Sequence, residues 1–320
     1  MNRTEQIWLK PNKNISKMCH FSNNLYNEAN YIVRQEFINN KKWIRYGELD
    51  KILNGRGSKP SENYKQLPTC TAQCILRLLE KNWKSFFNSI KIWKKDRSKY
   101  CGKPGLPKYK NKNGENLLVF TRMRIKNGII NFPKKVNLEV ETRLDDNIDI
   151  REVRTIPKGV GYVLEIVYEK EIEPNKPDKN RIVGIDIGLR NFVTVVNNIG
   201  EQPFVIKGGI LKSTNQYYNK KKAGLQSTHD KQGIKESKRM YKLYNKRNNK
   251  INDSIHKTSR HIIDYCVTNN IGTIVIGYNE NWKQNINLGT KTNQSFVSIP
   301  FTKLIQQLEY KGEENGIDVL

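Results

Sequence analysis

Apolar residues recur at threes and fours over residues 15–53, where Leu25, Tyr26, Ala29, Ile32, Val33 and Phe37 share one face and predict a helix. A short extended start, Thr4 to Leu9, precedes it. Gly55-Arg56-Gly57-Ser58-Lys59-Pro60 breaks the pattern, and Leu67-Pro68-Thr69 then reads as the N-cap of a second helix over Thr71 to Trp93. That helix carries Ile75, Leu78, Leu79, Trp83, Phe86, Phe87 and Ile90. From Leu117 to Lys170 the period shortens to β-like runs: 117–120, 129–132, 148–150 and 162–168, separated by Asn127-Gly128, Phe132-Pro133, Pro157 and Gly159. A small antiparallel barrel or sandwich fits these runs.

Residues 173–178, Glu-Pro-Asn-Lys-Pro-Asp, form a polar, proline-punctuated linker and mark a domain boundary. Beyond it come three β-branched runs (182–187, 192–196, 204–206), a basic helical stretch from about Lys212 to Asn269, and a fourth strand at Thr273–Ile276. A helix from about Ile299 to Asn315 leads to a fifth strand, Ile317–Leu320. Three strands, helix, strand, helix, strand is an α/β layer order. With no covering helix after the fifth strand, one face of the sheet is expected to be partly bare.

Charge adds a partner. Among 320 residues, 57 Lys and Arg stand against 31 Asp and Glu, a formal charge of +26, while 15 Tyr, 10 Phe and 5 Trp supply enough large apolar groups for a folded core. A polyanion is the expected ligand. No apolar run reaches the length of about 18 residues that a membrane span needs, and the N-terminus lacks a signal-like apolar region, so a cytoplasmic protein with no membrane partner is expected. The 5 cysteines form no Cys-x-x-Cys pair and the 4 histidines lie at no finger-like offset from them, so no zinc site is read.

The positive charge is concentrated. Residues 91–113 hold nine Lys and Arg against one Asp and include Lys94, Lys95, Arg97, Lys108, Tyr109 and Lys110. Residues 211–260 hold fourteen against three acids and include Lys220, Lys221, Lys222, Lys238, Arg239, Lys242, Lys246, Arg247, Lys250, Lys257 and Arg260. Lysines neutralise phosphates and the interleaved tyrosines can stack on unpaired bases, so these residues are candidate nucleic-acid contacts. Ile251, Ile255, Ile262 and Val267 recur at near-helical spacing in the same stretch and are read as core.

Asp186 ends an apolar strand two residues before Gly188, with Arg190 and Asn191 directly after as further nucleic-acid contacts. An acid so placed is a magnesium ligand in nucleases of the ribonuclease H type, and equally a strand-ending turn in many other folds. Two-metal cleavage requires several converging carboxylates. The fourth strand, the natural source of a second, ends on Gly277, and the nearest acid, Glu280, lies three residues later. Asp186 and, more weakly, Glu280 are therefore the catalytic candidates, and the metal set is incomplete.

Several ordered stretches together carry a resemblance: Leu25-Tyr-Asn-Glu-Ala-Asn-Tyr with Val33-Arg34, Asn82-Trp-Lys-Ser-Phe-Phe87, Gly105-Leu-Pro-Lys-Tyr-Lys110, Val183-Gly-Ile-Asp-Ile-Gly188, Ser213-Thr-Asn-Gln-Tyr-Tyr-Asn-Lys-Lys-Lys222, and Thr273-Ile-Val-Ile-Gly-Tyr-Asn with Trp282-Lys-Gln. The chain resembles the TnpB family of transposon-encoded RNA-guided DNA endonucleases, which are related to type V CRISPR effectors. The resemblance implies an α+β multidomain fold: a wedge β-barrel (1–14 and 101–172), an inserted helical recognition lobe (15–100), a linker (173–180), and a RuvC, ribonuclease H-like domain (181–320) with a long basic helical insertion at 212–269. It implies a guide RNA made from the transposon end, guide-complementary double-stranded DNA beside a short motif, and nucleic-acid contacts at Trp282, Lys283 and Gln284.

By the same resemblance Asp186 matches the first RuvC carboxylate, while the second is commonly a Glu where this chain has Gly277. In relatives that also have Gly there, a Glu just beyond the fifth strand looks like the substitute, and the sequence stops before it. The family's zinc ribbon and third carboxylate lie farther on as well. The expectation is guided DNA binding without cleavage, as in nuclease-dead TnpB-like repressors of bacteria, with the protein at the nucleoid when DNA-bound. The alternatives are a Mg²⁺-dependent cutter or decayed transposon gene, and a plain basic RNA-binding protein.

Overall fold

Asn12 opens the first long helix of the computed structural model: its side-chain oxygen accepts from the N–H groups of Asn14 and Ile15 at 2.9 and 3.1 Å, meeting two of the helix's free donors. All residues are described except 57–58, 173–174 and 279–288. The chain divides into two units, Met1–Glu171 and Ile172–Leu320.

In the first unit, β1 (Asn2–Leu9) leads into α1 (Lys13–Asn40), followed by α2 (Tyr46–Leu53), α3 (Glu62–Gln66) and α4 (Thr69–Lys95). The single helix expected over 15–53 is broken: Lys41 takes a left-handed conformation (φ 56°) and its N–H bonds Phe37 O. The break turns Trp43 onto Phe87, with ring centroids 5.0 Å apart, and buries Ile44. Phe37, Trp83, Phe86 and Phe87 complete an aromatic cluster in which edge-to-face and tilted pairs stand 5.2–6.5 Å apart. Thr69 is the first residue of α4 and not its cap; no side chain caps that helix.

The strands β2 (Leu118–Phe120), β3 (Ile125–Lys126), β4 (Ile129–Asn131), β5 (Glu139–Glu141), β6 (Asp149–Pro157) and β7 (Tyr162–Glu169) follow. They form two open antiparallel sheets among the described residues, ordered β1-β7-β6-β2 and β3-β4-β5. The barrel expected from the sequence is not closed, because β1 and β2 are the two edges of their sheet and pair inward only, with β7 and β6. Leu118, Phe120, Val153, Leu164 and Ile166 from the sheet share one buried cluster with Leu25, Leu79 and Trp83 from the helices.

In the second unit, β8 (Asp178–Ile187), β9 (Asn191–Asn197) and β10 (Phe204–Lys207) are followed by α5 (Gly209–Gln232) and α6 (Lys238–Thr268). Then come β11 (Ile271–Gly277), α7 (Thr290–Val297), α8 (Phe301–Glu314) and β12 (Asp318–Val319). The last residues of the expected linker, 178–180, are already strand. The basic stretch expected over 212–269 is a hairpin of two helices: Gly233, at φ 64°, ends α5, and Ser237 Oγ accepts from the Met240 N–H to start α6. Helix α7 carries no pattern recognised in the sequence.

The sheet runs β10-β9-β8-β11-β12, with β9 antiparallel to both its neighbours and β11 and β12 parallel to β8. Val183, Ile185, Ile187, Val193, Val195 and Ile274 are buried in one cluster with Ile255, Ile262 and Cys266 of α6 and Leu304 and Leu308 of α8. The alternate residues face the other way. Val196, Gly184 and Val275 form one row across three strands there, and both valines are exposed, at 49% and 42%.

Candidate nucleic-acid interface

Asp186 lies on that open face, near the end of the central strand, exposed, and its carboxylate has no hydrogen bond or ion pair among the described residues. Its neighbours in register are Thr194 on β9 and Gly277 on β11. A Cβ at Gly277 would meet nothing nearer than Ile185 O at 3.6 Å, so the position has room for a side chain and carries none. Gly188 is required locally: a Cβ there would come 2.9 Å from Asn191 O in the turn into β9, which accounts for the glycine without a phosphate. Among the described residues no three His, Cys, Asp or Glu side chains gather as a metal site. One carboxylate flanked by a threonine and a glycine does not fit a divalent cation, which takes several oxygen ligands. Glu280, Trp282, Lys283 and Gln284 lie outside the described residues.

The second feature is a basic strap at residues 104–111, held on α1 by a ladder of amides. Asn23 Nδ2 donates to Asn111 O at 2.9 Å, Asn27 exchanges two bonds with the Lys110 backbone at 2.8 and 3.1 Å, and Asn30 Nδ2 and Arg34 Nη1 both donate to Pro107 O. Positions 23, 27, 30 and 34 are one face of the helix, so four successive turns meet a segment with no ladder of its own. Asn30 also accepts from Trp83 Nε1 at 3.1 Å, which ties the strap to the aromatic core. The strap displays Lys108 and Tyr109, both exposed, and Arg34 lies 5.0 Å from the Tyr109 ring centre. Lys110 differs: its ammonium sits 4.8 Å over the Tyr26 ring, and partial burial lowers its pKa from the ordinary lysine value. Close by in sequence, Lys94 and Lys95 stand exposed in the last turn of α4, where cations favour the helix dipole, and Arg97 lies 4.9 Å from the Trp93 ring centre.

The third feature is the α5–α6 hairpin. Arg247 fastens it: Nε donates to Asn215 Oδ1 at 2.7 Å, Nη1 to Asn248 Oδ1 at 2.9 Å and Nη2 to Ser298 O at 2.7 Å. Arg247 is thus a clamp within the fold, with each of its three nitrogens donating to a neighbour. Beyond that clamp α5 runs on for about 25 Å and α6 for about 14 Å, at 1.5 Å per residue. Helix α6 has no buried side chain before Ile251. Lys242, Lys246 and Lys250 recur at four-residue spacing on that half, exposed and without ion pairs among the described residues; Lys238 and Arg239, and Lys220, Lys221 and Lys222 on α5, are exposed too. Lys257 and Arg260 are different, being paired along the helix with Asp253 at 2.8 Å and Asp264 at 3.6 Å. Arg190 and Asn191 are exposed at the start of β9.

The charges of the strap are legible in the sequence, whereas the amides that hold it emerge in the fold. Their signal was available: asparagine is a poor helix former, and three at spacings of four and three within one helix demand partners outside it.

The fold is α+β, with two units built around separate sheets, a lone strand-end carboxylate and two displays of basic residues. A family model described as a probable transposase, OrfB_IS605, matches residues 165–283. The TnpB-like protein ORF457 of Acidianus two-tailed virus is 26% identical over 367 aligned residues, covering 99% of this chain and 76% of that protein. The Cas12f1 chain of a Cas12f1–sgRNA–target DNA complex superposes with a TM-score of 0.57 at 13% identity, covering 95% of this chain and 71% of that one. The chain is thus similar in sequence to a TnpB-like protein over nearly its whole length and similar in fold to Cas12f1. Among the described residues no helix is long and apolar enough to cross a membrane.

Proposed function

We propose that this chain is an RNA-guided DNA-binding protein of the TnpB type that holds a transposon-end-derived guide RNA, pairs it with complementary double-stranded DNA beside a short motif, and does not cut. The observation that carries the reading is the register of Asp186 against Gly277: the strand-end pair that would anchor a metal offers one carboxylate. Strand order β10-β9-β8-β11-β12 with three parallel strands supports a ribonuclease H-like, RuvC-type domain over 181–320 after a linker at 173–180. The strands of 1–14 and 101–172 correspond in this reading to a wedge, and helices α1–α4 to a recognition lobe over 15–100. The named partners of the Cas12f1 structure, an sgRNA and a target DNA, fit the two basic displays. Phosphate contacts fall to Lys94, Lys95, Arg97, Lys108, Arg190 and the exposed lysines of α5 and α6, with Tyr109 as a stacking ring. The protein then acts as a repressor in the bacterial cytoplasm, at the nucleoid when DNA-bound.

The test is purification with bound RNA, sequencing of that RNA, and assay of the complex on guide-matched DNA with and without Mg²⁺. One defined RNA with salt-resistant binding of matched DNA and no cutting is the expected result. Cleavage in Mg²⁺ would make the chain a nuclease using an acid such as Glu280, and a mixture of unrelated RNAs would make it an unguided RNA binder.

A further inference from the structure

Beside the Arg247 clamp the two helices of the α5–α6 hairpin part to leave a cleft of about 280 Å³ lined by Tyr217 and Tyr218 from α5 and by Leu243, Lys246, Arg247 and Lys250 from α6. This is at the lower end of small-molecule site volumes and too small for a duplex. Its chemistry is divided. Tyr217 is 56% exposed, so much of its ring is open to stacking, and Leu243 adds an apolar wall. Lys246 and Lys250, one helical turn apart, are exposed at the rim and have no ion pair among the described residues. Arg247 is fixed by its three hydrogen bonds, with its guanidinium 5.8 Å from the Tyr218 ring centre, so one wall is rigid before anything binds. Asn215, which holds Arg247, keeps a buried Nδ2 donor that has no acceptor among the described residues.

We infer that this cleft takes a single unpaired nucleotide of the bound RNA, its base stacked on Tyr217 and its flanking phosphates on Lys246 and Lys250. This deepens the proposed function and rests on it. A flat aromatic platform accepts any base, and two ammonium groups one turn apart suit consecutive phosphates of a strand bent into the cleft. Lys221, one turn on from Tyr217, has its ammonium 5.9 Å from that ring's centre and can swing aside for a base, whereas Lys220, Lys222 and Lys238 line no such cavity among the described residues and contact backbone only. The hairpin therefore selects a place where the RNA has an unpaired base, and so fixes the register of the RNA on the protein.

The test uses the full chain with two short RNA hairpins: one fully paired, the other with a single unpaired 2-aminopurine in its stem. The unpaired base is expected to tighten binding about tenfold, the size of one base stacked on an aromatic ring, and its fluorescence to be quenched. Tyr217→Ala is expected to remove both effects while leaving affinity for the paired hairpin unchanged, and Tyr217→Phe to retain both; Tyr217 is exposed enough for either variant to fold. Equal wild-type affinity for the two hairpins would overturn the cleft assignment and leave the proposed function standing. Failure to bind either would overturn both. Loss of the quench on adding free AMP would make the ligand a free nucleotide and also overturn the assignment.

Discussion

Asp186 and Gly277 stand opposite each other on neighbouring parallel strands, a carboxylate facing a residue with no side chain. Replacing Gly277 by Glu is expected to be tolerated, since the nearest atom to a new Cβ is 3.6 Å away, and to supply a second oxygen donor beside the first. A Mn²⁺ titration followed by electron paramagnetic resonance should show affinity for Gly277→Glu on the order of tenfold above the parent, because ligand charge count sets the affinity of such sites. Asp186→Asn should leave occupancy of guide-matched DNA unchanged. Loss of DNA binding in that variant would give Asp186 a role that the binding-only reading denies it.

Asn30 is fully buried and serves two partners, Trp83 Nε1 and Pro107 O. In Asn30→Ala the indole N–H stays buried without an acceptor, and the strap loses one of its bonds. A destabilisation of about 1–3 kcal/mol follows from the unmet donor alone. Thermal melting should show it, and proteolysis should cut first within residues 104–111. A melting temperature equal to that of the parent would mean that water or another acceptor replaces the amide.

The two halves of α6 should behave differently in salt. Replacing Lys242, Lys246 and Lys250 together by Ala is expected to lower the slope of log affinity against log salt by about two units for a single strand, at about 0.7 per phosphate contact. Replacing Lys257 and Arg260 should change it little, because Asp253 and Asp264 already compensate them along an exposed helix. Equal slopes for the two variants would remove the distinction.

Thiol chemistry tests the cores directly. Cys19 and Cys266 are fully buried, and burial pushes both thiols up, that of Cys266 to about 12, whereas Cys101 is exposed. A disulfide reagent at neutral pH should therefore label Cys101 first, Cys70 and Cys74 more slowly, and Cys19 and Cys266 only on unfolding. Early labelling of Cys266 would show that the packing of α6 opens on its own.

Much of this was legible in the chain. The five strands beyond residue 181 follow from β-branched runs and turn residues, and the stripe through Trp83 marks α4, because both are local periodicities, whereas α7 has no such signal. What stayed hidden depends on contacts distant in sequence. The break at Lys41 comes from Trp43 packing on Phe87, more than forty residues away, and the open sheets of the first unit come from which strands pair. The hairpin in the basic stretch did have a signal, Gly233 followed by Ser237 as a capping residue, which the uniform charge of the segment masks. Likewise, composition counts Arg247, Lys257 and Arg260 with the other cations, and only geometry shows them already engaged.

The exposed valine row on the sheet's open face affects how the purified protein behaves in solution. With +26 charges, copies free of nucleic acid repel one another over a Debye length of about 10 Å at 0.1 M salt. At 1 M that reach falls to about 3 Å, and Val196 and Val275 can then meet the same surface on another molecule. Concentrated salt, the usual means of stripping RNA from a basic protein, therefore removes the colloidal protection this one relies on, so the protein is best kept soluble by leaving its polyanion in place.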